Sequence, residues 1–217
     1  AAGLGKRMFS HLPKVLQPVG GKPMLEHVVE AARKLPDAGK IIVVVGHGSE
    51  EVKAAMADQP VSFVLQKEQK GTGHAVQQAL EAINPEEPTL ILYGDVPLIS
   101  TETLSALEET ADGGFSLLTI ELDNPKGYGR ILRKEGKVVG IVEEKDASEE
   151  QRAIREVNTG FMVLPSKEMK RWLGSLKNDN KQQEYYLTDL VAMAAAEGRE
   201  IKTFKAQDAW EVEGANS

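Results

Sequence analysis

The sequence contains no cysteine, which excludes a disulfide scaffold and any metal site built on thiolates. It also lacks a long apolar run: the longest aliphatic stretch, IIVVV, covers residues 41–45, whereas a membrane helix needs ~20 residues. The amino terminus shows no apolar signal-peptide core. These absences favour a globular protein with a cytoplasmic location and no membrane partner.

A basic excess is missing as well. The 217-residue chain carries a net charge of −7, whereas nucleic-acid-binding domains usually carry a clear positive excess. We therefore expect no nucleic-acid partner. Against this acidic background, the opening stretch AAGLGKRMFSHLPK concentrates Lys6, Arg7 and Lys14. A basic cluster of this size indicates one small anionic ligand.

Several common enzyme motifs are absent. A P-loop requires serine or threonine directly after its lysine, but Arg7 follows Lys6. The stretches GLGKRM, GHGSEE and GTGHAV lack the glycine or alanine that closes the dinucleotide fingerprint. The four histidines have no zinc-like spacing, and no GxSxG elbow is present. The sequence therefore gives no support to dinucleotide binding, a zinc site or a nucleophilic serine.

The first two-thirds of the chain alternate between helical patterns and apolar runs. Near-continuous apolar strands with helices between them are typical of a parallel sheet that is covered on both faces. This pattern predicts a doubly wound, mostly parallel α/β sheet. The predicted strands are 41–45, 61–65 and 89–93, and the predicted helices are about 23–35, 49–57, 73–83 and 101–110.

The pattern changes after residue 113, where closely spaced strands predict a smaller mixed or antiparallel subregion that forms the second wall of a cleft. KEGK, residues 134–137, is the expected hairpin turn. The polar stretch 175–186 is interpreted as a connecting loop, with a mobile loop as the less favoured alternative. The predicted strands are 115–122, 129–133, 137–144 and 159–164, and two further helices are predicted at 167–173 and 185–197.

The opening loop is suited to binding phosphate. Small residues let backbone N–H groups converge on one anion, because no Cβ atoms intervene. Arg7 would add a planar fork of donors and Lys14 a compact charge, with Pro13 restricting the backbone just before it. A glycine-rich surface loop with solvated cations is an equally good interpretation of these residues alone.

Two later stretches add polar groups that suit a nucleotide. LYGDVPLIS places Asp95 at the carboxyl edge of a predicted strand, where α/β folds bind ligands and where a carboxylate can hold Mg²⁺. Asp95 could instead cap the turn before Pro97. In LQKEQKGTGHA, the amide of Gln66 or Gln69 and the backbone at Gly71 could pair with the edge of a base.

Taken together, ten motifs in order along the whole chain resemble the family of bacterial N-acetylglucosamine-1-phosphate uridylyltransferases. Enzymes of this family are usually bifunctional and also carry glucosamine-1-phosphate acetyltransferase activity. The motifs are AAGxGxRM, LPKVL, GGKPML, QxEQxGTGHA, LYGDVPLI, GYGRI, VEEKDA, EVNTG, EYYLTD and EVEGAN.

The resemblance implies a Rossmann-like nucleotide-diphospho-sugar transferase fold and a Mg²⁺-dependent reaction. UTP and N-acetylglucosamine 1-phosphate would give UDP-N-acetylglucosamine and pyrophosphate, for synthesis of cell-wall and lipopolysaccharide precursors. It also implies one uridylyltransferase domain over 1–217, with a nucleotide-binding part at about 1–112 and a sugar-binding part at about 113–217.

The resemblance further implies a role for each matching residue. Nucleotide contacts would come from Ala1, Ala2, Gly3, Gln66, Gly71, Thr72, Tyr93 and Gly94. Arg7 and Lys14 would act on the phosphates as catalytic residues, and Asp95 and Asn216 would hold the metal. The sugar would be bound by Gly129, Glu143, Asn158 and Thr188.

Two departures from the family pattern are visible. Lys6 stands where the family usually has threonine, which adds a charge beside the triphosphate. The expected strand before Ala1 and the expected β-helical acetyltransferase domain after Ser217 are not in this sequence, so we expect a piece of a longer, trimeric protein. Two alternatives stay open: a nucleotidyltransferase for another sugar or alcohol phosphate, and a non-catalytic module that binds nucleotide sugars.

Overall fold

The computed structural model describes residues 12–215. Helices and strands alternate up to residue 111, and antiparallel strands follow. The strands are β1 (Pro18–Val19), β2 (Lys22–Pro23), β3 (Ile42–Val45), β4 (Ser62–Leu65), β5 (Thr89–Ile91), β6 (Phe115–Glu121), β7 (Arg130–Lys134), β8 (Lys137–Val142), β9 (Glu156–Leu164) and β10 (Ile201–Lys205).

The α-helices are α1 (Met24–Arg33), α2 (Ser49–Ala55), α3 (Thr72–Gln77), α4 (Thr101–Ala111), α5 (Glu149–Arg152), α6 (Ser166–Leu173), α7 (Asp189–Ala196) and α8 (Ala209–Val212). Short 3₁₀ turns cover Lys14–Leu16, Leu80–Ala82 and Glu144–Asp146. Within residues 12–215, no helix combines the length and the apolarity that a membrane crossing would require.

The strands form a parallel β3–β4 pair, a short β1–β2 hairpin and a mixed sheet of six strands. The large sheet has the order β10-β6-β9-β7-β8, and β5 also pairs with β9. β10 runs parallel to β6, while the other pairings in this sheet are antiparallel. The predicted α/β class with a mixed part is therefore confirmed.

One strand has a different direction from the one predicted. The run 89–93 was expected in a parallel sheet, but β5 pairs antiparallel with β9, with Ile91 opposite Met162. An apolar run shows that a strand is buried on both faces but not which way its neighbour runs. β10 was not predicted, because IKTFK is short and its two apolar residues, Ile201 and Phe204, show neither alternation nor a continuous apolar run.

Helices cover both faces of the large sheet, which explains the continuous apolar character of β6 and β9. Leu117 and Met162 pack in the cluster formed with α6 and α7. Leu118 and Val163 pack in the cluster formed with α4 on the other face. A third cluster fills the space between the β3–β4 pair and helices α1 and α2.

The predicted hairpin at 134–137 is confirmed, with Glu135 at φ 54° and Gly136 at φ 80° between paired Lys134 and Lys137. Two predicted helices are shorter in the structure. The helix expected over 73–83 breaks after Gln77, and the helix expected over 185–197 begins only at Asp189. Residues 187 and 188 form a turn that leads into α7. The backbone of Tyr185 and Leu187 bonds to another loop, as described below.

Candidate functional site

The large sheet contains a break between β5 and β7 along one side of β9, and we call this break the cleft. β5 pairs with the carboxyl end of β9 at 162–164, whereas β7 reaches the same strand only at Val157. Both strands run antiparallel to β9, so the end of β5 and the start of β7 point toward each other. Residues 158–161 of β9 lie between them. The sequence-predicted residues that follow β5 and precede β7 are therefore brought together.

Asp95 lies beyond the end of β5 and forms an ion pair with Lys14. Nζ of Lys14 is 2.9 Å from Oδ2 of Asp95, although 81 residues separate them in the chain. Both side chains are partly buried, with 17% of Lys14 and 29% of Asp95 exposed. The pair places one cation and one carboxylate at the same wall of the cleft.

The segment after α8 supports Asp95 from the other side. The amide of Ala215 donates to the carbonyl oxygen of Asp95 at 3.1 Å. A Cβ added to Gly214 would lie 3.4 Å from Oδ2 of Asp95, so a side chain there would take up space beside the carboxylate. The predicted second metal ligand, Asn216, follows directly but lies outside the described residues.

The surroundings of Asp95 offer one carboxylate to a divalent metal. Residues 12–215 contain no group of three or more His, Cys, Asp or Glu side chains that could hold a metal ion. Mg²⁺ is commonly held by only one or two carboxylates, with phosphates and water as the other ligands. A single carboxylate next to a side-chain-free glycine is consistent with that mode.

Tyr93 connects the Asp95 side of the cleft to β9. Gly160 has φ +95°, and a Cβ there would lie 2.4 Å from a ring carbon of Tyr93, so only glycine allows this packing. Burial raises the pKa of Tyr93, and the carboxylates of Glu143 and Asp95 raise it further. The phenol is therefore a neutral group that lies within electrostatic reach of both carboxylates.

Four residues that the sequence predicts to bind a sugar lie together at the start of β7. After that prediction, and only as a name, we call them the sugar pocket: Gly129, Glu143, Asn158 and Thr188. The backbone N–H of Asn158 donates to the backbone carbonyl of Gly129 at 2.8 Å. The Thr188 hydroxyl donates to Oε1 of Glu143 at 3.0 Å. A Cβ on Gly129 would lie 3.3 Å from the same Oε1, so this glycine lets the carboxylate approach the backbone.

Two side chains of the sugar pocket, Asn158 and Glu143, are free to accept further hydrogen bonds from a ligand. Oδ1 of Asn158 is buried and has no hydrogen-bond partner in the part of the chain that the structure describes. Burial raises the pKa of Glu143, and its hydrogen bond from Thr188 opposes that rise. A buried acceptor without a partner and a desolvated carboxylate are costly unless a ligand completes their bonds.

The loop LQKEQKGTGHA, residues 65–75, is called the glutamine loop, and Gln66 or Gln69 is predicted to recognise a base there. The two side chains have different environments. Gln66 is 3% exposed, whereas Gln69 is exposed. Nε2 of Gln66 donates to the carbonyl of Gly71 at 3.3 Å and lies 2.9 Å from Nδ1 of His74. Because the carbonyl oxygen of Gly71 can only accept, it must be faced by the side-chain nitrogen of Gln66 and not by its side-chain oxygen.

Residues 185–187 join the glutamine loop to the sugar pocket, a connection that sequence analysis missed. Tyr185 accepts from the amide of Gly73 at 2.7 Å and donates to Lys70 O at 2.8 Å. The amide of Leu187 donates to the Thr72 hydroxyl at 2.9 Å. The EYYLTD motif marked this segment, but only Thr188 was assigned a role.

Several predicted site residues lie outside the described residues. Ala1, Ala2, Gly3 and Arg7 precede residue 12, and Asn216 follows residue 215. Of the residues within 12–215, the structure brings Lys14, Tyr93, Gly94 and Asp95 to one side of the break. The sugar pocket lies on the other side, and Gln66, Gly71 and Thr72 are joined to it through 185–187.

Comparison with known proteins gives a family and relatives. The profile of the MobA-like NTP transferase domain family matches residues 1–156. The bifunctional protein GlmU of Burkholderia orbicola is 54% identical over 219 residues, covering 100% of this chain and 48% of that protein. The GlmU of Thiobacillus denitrificans is 56% identical over 218 residues, covering 100% and 47%.

These identities confirm the resemblance that the ten motifs carry. The chain spans about half the length of the curated relatives it matches. The fold is also shared with solved structures at low identity. A crystal structure of UDP-glucose pyrophosphorylase complexed with UDP-glucose superposes with a TM-score of 0.74 at 21% identity, covering 98% of this chain and 91% of that one. An apo UDP-glucose pyrophosphorylase gives 0.72 at 20% identity, covering 94% and 88%.

Proposed function

Because the chain belongs to the family of MobA-like NTP transferase domains, we propose that it transfers UMP from UTP to N-acetylglucosamine 1-phosphate. The products are UDP-N-acetylglucosamine and pyrophosphate. The observation that carries the proposal is the Lys14–Asp95 ion pair, 2.9 Å long, in a cleft that the sugar pocket borders. The identity with GlmU proteins supports the choice of substrates.

The reaction needs no nucleophile from the protein. A phosphate oxygen of the sugar phosphate attacks the α-phosphorus of UTP, and the bond from that phosphorus to the bridging oxygen of pyrophosphate breaks. Catalysis then consists of aligning two anions and neutralising their charge. Lys14 supplies a cation at the cleft wall, and Arg7 in the opening loop is proposed to supply a second one to the triphosphate.

Asp95 and Asn216 are proposed to hold Mg²⁺, which when bound would neutralise phosphate charge in the cleft. In the free protein Asp95 is paired with Lys14. Binding of phosphates would give Lys14 a new anionic partner, which leaves the carboxylate of Asp95 available as a ligand. Lys14 thus changes partner from a carboxylate to a phosphate when the substrates bind.

Uridine recognition is proposed for Gln66, Gly71 and Thr72, with Ala1, Ala2 and Gly3 contacting the nucleotide and Tyr93 and Gly94 lining the cleft. Because the amide nitrogen of Gln66 faces Gly71 O, its carbonyl oxygen is the group left for the base. Uracil has an N3–H that can donate to this oxygen, whereas N3 of cytosine is itself an acceptor. This arrangement favours uracil over cytosine.

The sugar pocket is proposed to bind the N-acetylglucosamine ring. Glu143 can accept from a sugar hydroxyl, and the unpartnered Oδ1 of Asn158 can accept from a hydroxyl or from the acetamido N–H. A sugar that lacks these donors would leave buried acceptors unpaired, and this penalty gives the pocket its selectivity. The division into a nucleotide part at about 1–112 and a sugar part at about 113–217 follows from these assignments.

The relatives are described as bifunctional. We propose that the second activity of the whole protein is acetylation of glucosamine 1-phosphate by a further domain, with a homotrimer formed through that domain. We also propose a cytoplasmic location, and a role in making precursors of peptidoglycan and lipopolysaccharide.

The direct test measures pyrophosphate release from UTP plus N-acetylglucosamine 1-phosphate with Mg²⁺, and again after chelation. Release that requires both substrates and stops on chelation is the expected result. A panel of ATP, GTP, CTP and UTP separates this proposal from other sugar-phosphate nucleotidyltransferases. Binding of UDP-N-acetylglucosamine without any pyrophosphate release would instead favour a non-catalytic module.

A further inference from the structure

We infer that Arg130 is a positioning residue that fixes the shape of the sugar pocket, an inference that rests on the proposed function. Arg130 opens β7 directly after Gly129, and its side chain is 2% exposed. It is the only charged residue among the largest fully buried side chains of residues 12–215.

The guanidinium of Arg130 ties together three separate chain segments. Its Nε donates to Ile154 O at 3.1 Å, and one terminal nitrogen donates to Arg152 O at 3.1 Å. The other terminal nitrogen donates to Tyr128 O and forms an ion pair with Oε2 of Glu144 at 2.7 Å. The segment after α5, the loop before β7 and the loop after β8 are thus held by one group.

Each of these segments leads directly into the sugar pocket. Gly129 lies between Tyr128 and Arg130, and Glu143 immediately precedes Glu144. The segment held at Arg152 and Ile154 continues into β9, which carries Asn158. Three of the four pocket residues are therefore within a few residues of an atom that Arg130 binds. Thr188 is connected to the same group through its bond to Glu143.

The chemistry of the site calls for arginine. A buried cation is costly unless its donors are satisfied and its charge is compensated. Here three backbone carbonyls accept from the guanidinium, and the carboxylate of Glu144 at 2.7 Å compensates the charge without hydrogen-bond geometry. A lysine ammonium has three donors on a single atom and cannot reach partners that surround a planar fork. Arg130→Lys would therefore keep the charge but release at least one of the three segments.

Release of a segment should affect the sugar more than the nucleotide. The glutamine loop bonds to residues 185–187 and has no hydrogen bond to Arg130 within the described chain. In Arg130→Lys we expect the KM for N-acetylglucosamine 1-phosphate to rise by about tenfold or more. The KM for UTP should stay within about twofold. Arg133→Lys is the matched control, because Arg133 lies on the same strand and pairs with Glu156 but is 34% exposed.

The same variants are examined by hydrogen exchange of individual amides. The amides of Asn158 and Asp146 donate to Gly129 O and Glu143 O, so they should exchange faster in Arg130→Lys than in Arg133→Lys. The amide of Leu187 should be unchanged. This measurement judges the role of Arg130 even if the parent protein shows no uridylyl transfer, a result that would defeat the proposed function alone.

Two outcomes would overturn the inference. One is an equal change in both KM values in Arg130→Lys, or a change in kcat alone. The other is unchanged exchange at Asn158 and Asp146. If Arg130→Lys does not fold, Glu144→Gln removes the charge of the same ion pair from a side chain that is 24% exposed. Glu144→Gln should raise the KM for N-acetylglucosamine 1-phosphate selectively, by a smaller factor than Arg130→Lys. If this KM does not rise in Glu144→Gln, that result counts equally against the role of Arg130.

Discussion

Lys14 and Asp95 neutralise each other across 2.9 Å at the wall of the cleft. The pair joins the 3₁₀ turn near the amino end to the loop after β5, and neither residue is fully buried. Under the proposed function, Lys14 exchanges this carboxylate partner for a phosphate when the substrates bind.

Replacing Asp95 by alanine should abolish pyrophosphate release and leave the fold intact, because the proposed metal loses its carboxylate. Rates with UTP and N-acetylglucosamine 1-phosphate measure the first effect, and circular dichroism the second. Asp58→Ala, at an exposed aspartate far along the chain, is the control and should retain the parent rate. Unchanged turnover in Asp95→Ala would remove the metal role.

Replacing Lys14 by alanine should lower kcat by about 10²–10³, since a cation aimed at developing phosphate charge acts mainly in the transition state. The experiment compares kcat and KM for both substrates. If only KM rises, Lys14 contributes to substrate binding and not to the chemical step. Lys53→Ala, at a partly exposed lysine on α2, should leave both constants unchanged.

Replacing Glu143 by glutamine should stabilise the protein and weaken sugar binding. Burial raises the pKa of Glu143 in the folded state. A carboxyl whose pKa is raised on folding costs stability at high pH, and this cost disappears as pH falls below the ordinary glutamate pKa. The Tm of Glu143→Gln should therefore exceed that of the parent above neutral pH, with the difference closing in acid.

The control for this pH dependence is Glu86→Gln, because Glu86 is exposed. Its Tm should follow that of the parent at every pH. A Glu143→Gln variant whose Tm difference grows in acid would contradict the direction argued here. The KM for the sugar phosphate should rise in Glu143→Gln even where Tm rises.

Replacing Glu211 by alanine should destabilise the fold by about 1–3 kcal/mol, because buried donors lose a charged acceptor. Oε1 of Glu211 accepts from the Ser100 amide at 3.0 Å and from its hydroxyl at 2.6 Å, at the start of α4. Glu109→Ala, at an exposed position on the same helix, should change stability by less than about 0.5 kcal/mol. Urea unfolding of the two variants tests this difference.

Replacing Gly160 by alanine should destabilise the protein more than the same change at Gly198. Both glycines have positive φ, +95° and +81°, so both substitutions incur backbone strain. Only at Gly160 would the new Cβ meet the ring of Tyr93; nothing lies within 4 Å of a Cβ on Gly198. The excess loss at Gly160 should be about 1–3 kcal/mol, and equal losses would show that the Tyr93 contact costs nothing.

The sequence predicted the alternation of helices and strands well, because runs of apolar residues mark the buried strands directly. The apolar runs at β3, β4, β6 and β9 and the turn at 134–137 all lie where they were expected. The direction of β5 relative to its neighbour could not be predicted from the sequence. Antiparallel and parallel strands that are buried on both faces have the same apolar composition.

The candidate site was predicted residue by residue from motif resemblance, and the structure adds how these residues are held. Arg130 and residues 185–187 could not be found from the sequence, because their role depends on contacts between segments far apart in the chain. The bond between Leu187 and Thr72 spans 115 positions. It also explains why the predicted helix over 185–197 starts late: Tyr185 and Leu187 use their backbone groups on another loop.

Strand β9 pairs with both β5 and β7, and this limits which sequence changes can alter the substrate preference of the cleft. A one-residue insertion between Asn158 and Gly160 would leave only one of two contacts in register, either Gly160 with Tyr93 or Asn158 with Gly129. Changes of substrate preference are therefore expected through side-chain replacement and through the lengths of the surrounding loops, while the number of residues between 157 and 162 stays constant.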